Sequence, residues 1–309
     1  MNSELLELWN AAMTDPRFKL DSAALESRPL HSDDTHLEFR GGVLAGFISI
    51  SNPAKPYRPN DTTGHVRLLA VHPDFQRRGI GSRLLSWAEQ TLQSRGATRV
   101  VVGTEPHHFF PGIPLDETLP LTLEIRTPEN ALLEFFAHCG FEISGGISND
   151  LARELDELPK LELPDHARIV QTDIEGVLEF IRQEFPGRWV YDTNFVLQRA
   201  EHQHLALEVD GRVMGFALMG LRIDPVILPS SLWQTEDCGL GPMGVSSKLR
   251  GQGLGLALLI AAMHKLKASG GTRMGIDWTG VQAFYQKAGF EVVRRYRHAS
   301  KTLEPHPSR

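Results

Sequence analysis

Gln76-Arg77-Arg78-Gly79-Ile80-Gly81 and Arg250-Gly251-Gln252-Gly253-Leu254-Gly255 are one turn written twice, 174 residues apart. At that offset Val71 falls on Val245, Leu84-Leu85 on Leu258-Leu259, Ala88 on Ala262, Leu92 on Leu266 and Gly96 on Gly270. A register kept through a loop, a helix and the approach to the next strand marks a duplicated unit. The offset then falls to 149, where Gly140-Phe141 matches Gly289-Phe290. The first copy therefore carries 25 extra residues, near 105–130. The expected domains are 1–158 and 165–309, with Pro159 and Pro164 marking the linker.

Each copy reads as alternating strands and helices, an α/β pattern. In the second, Ala167 to Gln171 reads as a strand, and Asp173 can cap a helix running to Glu184. His204 to Val209 and Arg212 to Met219 form a hairpin around Asp210-Gly211, a strong two-residue turn signal. A strand ends near Val245, and the Gly-rich turn opens a helix over Leu254 to Ala268. Met274 to Trp278 is a strand, Val281 to Ala288 a helix and Phe290 to Tyr296 a last strand. The first copy repeats this from a Leu37 to Ile50 hairpin with Gly41-Gly42 as its turn. Its start, Met1 to Ala12, reads as a helix, so the opening strand of the second copy has no counterpart.

Composition sets wide limits. The 309 residues are 41% hydrophobic and 23% charged, the balance of a globular protein. The net charge of -6 advertises no nucleic-acid surface. Cys139 and Cys238 lack metal or redox spacing, which suggests a reducing compartment. No apolar run is long enough to span a bilayer, and the first ten residues carry Glu4 and Glu7 without a basic segment. A cytoplasmic monomer or homodimer acting on a small molecule is the expectation. His107-His108, in the extra segment, has no third ligand at metal spacing, so no metal is expected.

A strand, a Gly-rich turn and a helix make an anion site. Glycines let the backbone approach closely, and the helix N-terminus offers free N–H groups with a positive dipole end. A lone G-x-G is weak evidence; two registered copies are much stronger. Val71-His72-Pro73 leading to Gln76, Gly79 and Gly81, and Val245 leading to Arg250, Gly253 and Gly255, resemble motif A of the GNAT N-acetyltransferase superfamily. The later segments, Leu132 to Phe141 and Ala283 to Phe290, resemble the superfamily's motif B.

The resemblance implies two fused GNAT domains, each a mixed, mostly antiparallel sheet flanked by helices, with acetyl-CoA as cosubstrate. It implies that the turns hold the CoA pyrophosphate, through Arg77, Arg78, Gly79, Gly81 and Ser82 and through Arg250, Gly251, Gln252, Gly253, Gly255 and Leu256. It implies that Val71 and Val245 contact the pantetheine. It also implies that Tyr285 protonates the departing thiolate. The first copy has Phe136 there, which cannot donate a proton, so catalysis is expected in the second copy. Glu236, Asp237 and Asp277 are candidate bases for the amine, although a lone carboxylate is more often solvated or capping.

Phe185-Pro186-Gly187-Arg188-Trp189 sets aromatic rings beside an arginine and tilts the acceptor toward an amino sugar. An aminoglycoside, another small amine or a protein N-terminus are the enzyme alternatives. The non-enzyme alternative is an acyl-CoA sensor without turnover.

Overall fold

The computed structural model describes residues 2–53, 60–103, 109–115, 131–171, 174–197, 202–221, 233 and 237–304. The chain forms two compact units.

In the first unit, α1 (Asn2–Ala12) and α2 (Ser22–Ser27) precede the hairpin β1 (Thr35–Arg40) and β2 (Val43–Ser51). Gly41 and Gly42 make its turn with φ of 58° and 81°, values that glycine adopts without steric cost. Then follow β3 (Thr63–Val71), α3 (Ile80–Ser94), β4 (Arg99–Val102), the short β5 (Ile113–Pro114), α4 (Ala131–His138) and the start of β6 (Glu142–Glu154). Leu5, Leu8 and Trp9 form the buried stripe of α1, packed with Phe18, Phe47, Leu68 and Ala70. Trp9 donates its indole N–H to the carbonyl of Phe18 at 3.0 Å, so its one polar atom is satisfied inside the core. Ile80, Leu84, Leu85, Ala88 and Leu92 of α3 cover the opposite face with Ile48 and Ile50.

The second unit contains β7 (Ala167–Val170), α5 (Ile174–Glu184), α6 (Arg188–Leu197), β8 (His202–Val209), β9 (Arg212–Gly220), β10 (Cys238–Val245), α7 (Leu254–Ala268), β11 (Arg273–Thr279), α8 (Gln282–Gln286) and the start of β12 (Glu291–Thr302). Asp210 and Gly211 both have positive φ, 49° and 75°, as a two-residue hairpin turn of this kind requires. Side chains of β9 alternate between two cores. Ala217 and Met219 face α7, while Phe216 and Leu218 face Val177, Phe180 and Ile181 of α5. Helices on both faces explain why the strand reads as a continuous apolar run. The helix α7 buries nine residues, from Leu254 to Leu266, and is apolar nearly all round for the same reason. The expected cap at Asp173 lies outside the described residues, as do His107 and His108.

The units depart from boundaries at 158 and 165. Asn149–Glu154, the end of the first copy, lies in the second unit and pairs antiparallel with β11, Ile276 opposite Leu151. The chain from Arg294 onward, the end of the second copy, lies in the first unit. There β12 pairs antiparallel with β4, Ser300 opposite Val101. Within the first unit the strand order is β1-β2-β3-β4-β12, and within the second it is β6-β11-β10-β9-β8-β7. Each copy gives its last strand to the other's sheet. Among the described residues the first sheet has no counterpart of β7, as the late start of the first copy implied.

Candidate functional site

Two parallel strands separate in each unit. In the first, β3 and β4 are in register from Thr63 opposite Arg99 to Val66 opposite Val102; β3 then continues alone on that side to Val71. In the second, β10 meets β11 only at Cys238 opposite Met274 and Gly239 opposite Gly275, then diverges to Val245. Among the described residues, each separation leaves strand backbone beside the Gly-rich turn without a parallel partner.

The turns share one backbone. Arg77 and Gly251 occupy equivalent places with φ of 60° and 79°; Gly79 and Gly253 follow with 75° and 78°. The first helical bonds run from the N–H of Arg83 to Gly79 and from the N–H of Ala257 to Gly253. The amides of Ile80, Gly81 and Ser82, and of Leu254, Gly255 and Leu256, therefore precede the helical ladder, and no side chain caps either helix. Arg78, Arg250 and Gln252 are exposed on these turns. Each strand-end valine lies against its turn: a Cβ on Gly81 would stand 3.7 Å from Val71, and one on Gly255 would stand 3.7 Å from Val245.

The first unit has a formed cleft of about 580 Å³. It runs from Gln76, Gly79 and Ser82 along Val66 to Val71 toward Trp9, Asp15 and Phe18. Burial raises the Asp15 carboxyl, but hydrogen bonds and charge from Arg17 outweigh it and hold Asp15 below the ordinary value. Phe136 lines the cleft and packs against Phe135 and Phe141.

Tyr285 stands where Phe136 stands, against Phe284 at 5.0 Å and Phe290 at 5.9 Å between ring centroids. It is 8% exposed. Burial pushes its phenol up to about 12. Proton transfer to a thiolate whose thiol has a pKa near 8.5 is thus more uphill than it would be from an ordinary phenol.

Asp237 differs from a free base. It is 1% exposed and accepts two hydrogen bonds from Arg273 Nη1, at 2.8 and 3.0 Å. It also precedes β10 at the end far from Val245, roughly 25 Å away at about 3.3 Å per residue. The pair ties β10 to β11 beside their short parallel register. Glu236 lies outside the described residues. Asp277, on the diverging part of β11, accepts from the Trp233 indole at 3.1 Å.

No residue pattern announced α6 over Arg188–Leu197, because Pro186-Gly187 reads as a turn. Phe185 and Trp189 close onto the strand at Gly244, where a Cβ would lie 2.7 Å from the Phe185 ring.

Alkaline pH tests this burial. Cys238, chiefly by burial and also through the Asp237 charge, is raised to about 12 from 9.0, and Tyr285 is raised to about 12 from 10.0. Both groups ionise first in the unfolded chain, which therefore binds fewer protons than the native state between those values. Their contribution is fully present below pH 9 and is lost as the pH rises toward 12. Each is expected to remove roughly 3–4 kcal/mol over that range. Denaturant titrations at pH 8, 10 and 11.5 check this, and Cys238→Ala with Tyr285→Phe should flatten the decline. A wild-type stability that is level to pH 11.5 would contradict it.

Two registered units of strand, left-handed glycine turn and helix now have an external counterpart. The model described as "Acetyltransferase (GNAT) family" matches residues 2–112 and again 174–290. The chain belongs to the GNAT acetyltransferase family. It is an acyltransferase with two fused GNAT domains. No curated protein matches the chain. Among solved structures, the GCN5-related glucosamine N-acetyltransferase region of a fungal multi-domain GH3 β-N-acetylglucosaminidase is similar at 19% identity and a TM-score of 0.77. The match covers 97% of this chain and 36% of that one, so this chain spans about a third of the fungal protein's length. A GCN5-related N-acetyltransferase from Sphaerobacter thermophilus matches at 19% identity and a TM-score of 0.71, over 98% and 92% of the two chains. A tandem GNAT protein from the clavulanic acid biosynthesis pathway matches at 18% and 0.63, over 99% and 95%. At these identities the likeness is one of GNAT fold. Among the described residues no helix is long and apolar enough to cross a membrane.

Proposed function

We propose that the chain moves an acetyl group from acetyl-CoA to the primary amine of a small acceptor, an amino sugar being the favoured class, and that the second unit performs the reaction. The observation that carries this is the separation of β10 from β11 beside the Gly251–Gly253 turn. It gives a thioester a strand to lie along, with its pyrophosphate at the free amides of Leu254 to Leu256. The amine attacks the thioester carbonyl carbon directly. The C–N bond forms, the C–S bond breaks, and CoA leaves as a thiolate.

Tyr285 serves the leaving sulfur. With its phenol near 12 it is protonated at any working pH. Complete transfer to a thiolate of pKa near 8.5 would be uphill by about 5 kcal/mol. Its part is therefore a hydrogen bond to the sulfur as charge develops there, with the solvent supplying the final proton. Asp277 is the carboxylate this reading assigns to the ammonium proton, through water. The first unit reads differently. Its cleft is formed, and Phe136 stands in place of the phenol, which favours acyl-CoA binding there without turnover.

The test is thiol release over a panel of amines with Tyr285→Phe beside the wild type. Removing one oxygen keeps the ring contacts, so acetyl-CoA affinity should hold while kcat falls about 100-fold. Wild-type turnover in the variant would remove Tyr285 from the chemistry.

A further inference from the structure

The second unit turns one strand end in an unusual way. Trp278 has φ of +52°, a region that bulky L side chains rarely adopt. The register between β11 and its neighbour β6 slips at this point, between Ile276 and Thr279. The conformation is held by the fully buried Asp150, whose Oδ1 accepts the Trp278 N–H at 3.1 Å. Strained residues persist where the surroundings over-determine them, and they cluster at ligand sites. The turn sets the indole on the arm of β11 that has parted from β10.

Arg188, at the start of α6, lies over this indole with its guanidinium carbon 4.5 Å from the ring centroid. Its Nε donates to Asp192 Oδ2 at 2.7 Å, one helical turn on. Trp189 and Thr193 lie on the adjoining face of the same helix, and Trp189 rests on Gly244, next to Val245. Two enclosed oxygens here, Thr193 Oγ1 and Asn149 Oδ1, lack a hydrogen-bond partner among the described residues. Asn149 is the strand partner of Thr279, the residue after Trp278. An indole and a guanidinium–carboxylate pair thus meet on the arm of β11 that has parted from β10.

We propose that Trp278, Arg188 and Asp192 form the acceptor subsite and that they select a hydroxylated ring amine, a hexosamine, over an open-chain amine. A pyranose has an apolar C–H face that can lie against an aromatic ring, and its edge carries hydroxyls that both donate and accept. Arg188 offers several donors in one plane and Asp192 offers lone pairs beside them. An alkylamine could donate to Asp192 through its ammonium, but it has no hydroxyl to accept from Arg188 and no ring face to lay on the indole. This rests on the assignment of acetyl transfer to the second unit, and it names what that site would recognise.

The experiment compares kcat/KM for glucosamine and for n-butylamine in the wild type, Arg188→Ala, Arg188→Lys and Asp192→Asn. The ratio of glucosamine to butylamine should fall about 10-fold in Arg188→Ala, through KM for the sugar. Arg188→Lys keeps the charge but not the planar fork and should recover little of it. Equal ratios in all four proteins would overturn the subsite. Tryptophan fluorescence titrated with glucosamine in the presence of CoA is read alongside. If no amine releases thiol from the wild type, the acetyl-transfer reading fails; glucosamine binding that depends on Arg188 would then still uphold the subsite, and binding indifferent to Arg188 would sink it.

Discussion

Gly253→Asp is expected to leave the fold intact and to raise the dissociation constant for acetyl-CoA at the second unit at least 100-fold. Nothing lies within 4 Å of a Cβ built on Gly253, so the new side chain meets no atom. The backbone there has φ of 78°, and an aspartate tolerates this left-handed conformation at a cost of about 1–2 kcal/mol. What changes is charge. A carboxylate at the N-terminus of α7 would occupy and neutralise the place where the Leu254 to Leu256 amides point, and a pyrophosphate would meet repulsion instead of a dipole. Calorimetry with acetyl-CoA reads the loss, and far-ultraviolet circular dichroism checks the fold. Undiminished affinity at the second unit would show that the turn does not hold the cosubstrate. Gly79→Asp is the natural companion, although Arg83 Nη1 lies 3.2 Å from that Cβ and would partly pair the new charge. If Gly79→Asp abolished turnover while acetyl-CoA still bound the second unit, the active unit would be the first.

Ending the chain after Val293 is expected to unfold the first unit and spare the second. The lost segment contains none of the first copy's sequence, yet Tyr296, Ala299 and Leu303 lie in the first unit's cores, Tyr296 with no exposed surface. Burying one large apolar side chain contributes about 1.5–3 kcal/mol. The cut also removes the ladder from Arg99, Val100 and Val101 to β12, leaving β4 as a bare edge. Together these losses rival the whole stability of an ordinary domain, about 5–15 kcal/mol. The second unit keeps its own closing strand, Asn149–Glu154. Hydrogen exchange on peptides from 43–51 and 63–71 should show lost protection in the truncated protein, and peptides from 212–220 should not. Protection of all three would mean that β12 is dispensable to the first unit. The mirror change is Leu151→Asp, which alters a residue of the first copy buried in the second unit's core. It should destabilise the second unit.

Much of this was legible in the residues because it depends on local chemistry. The helix over Leu254 to Ala268 begins where Gly253 turns left-handed and ends at the Ser269-Gly270 break, and both signals are within a few residues of the element. The Asp210-Gly211 hairpin is specified by two residues. The strand exchange was not legible. Ile143 to Leu151 and Val292 to Ala299 follow matching glycine–phenylalanine steps, and nothing in either says which sheet it will join. The surroundings of Asp237 were not legible for a related reason. Its partner Arg273 is 36 residues away, and only the parallel register of β10 on β11 brings the two side chains together. Arg188 was visible as chemistry but not as geometry, since its place over Trp278 depends on a strand end at positive φ that a tryptophan does not announce.

The exchange also has a consequence during synthesis. Val101 cannot meet Ser300 until about 200 further residues have been translated, which at roughly 5–20 residues per second takes about 10–40 s. Through that interval the nascent first copy carries an open β4 edge and lacks the Tyr296 plug in its core. The second copy needs Leu151, made long before β11, and can close as soon as its own strands emerge. Folding from the ribosome should therefore not follow chain order: the second unit's residues run to Val293, seven before Ser300, so the earlier-made unit should close no sooner than the later one.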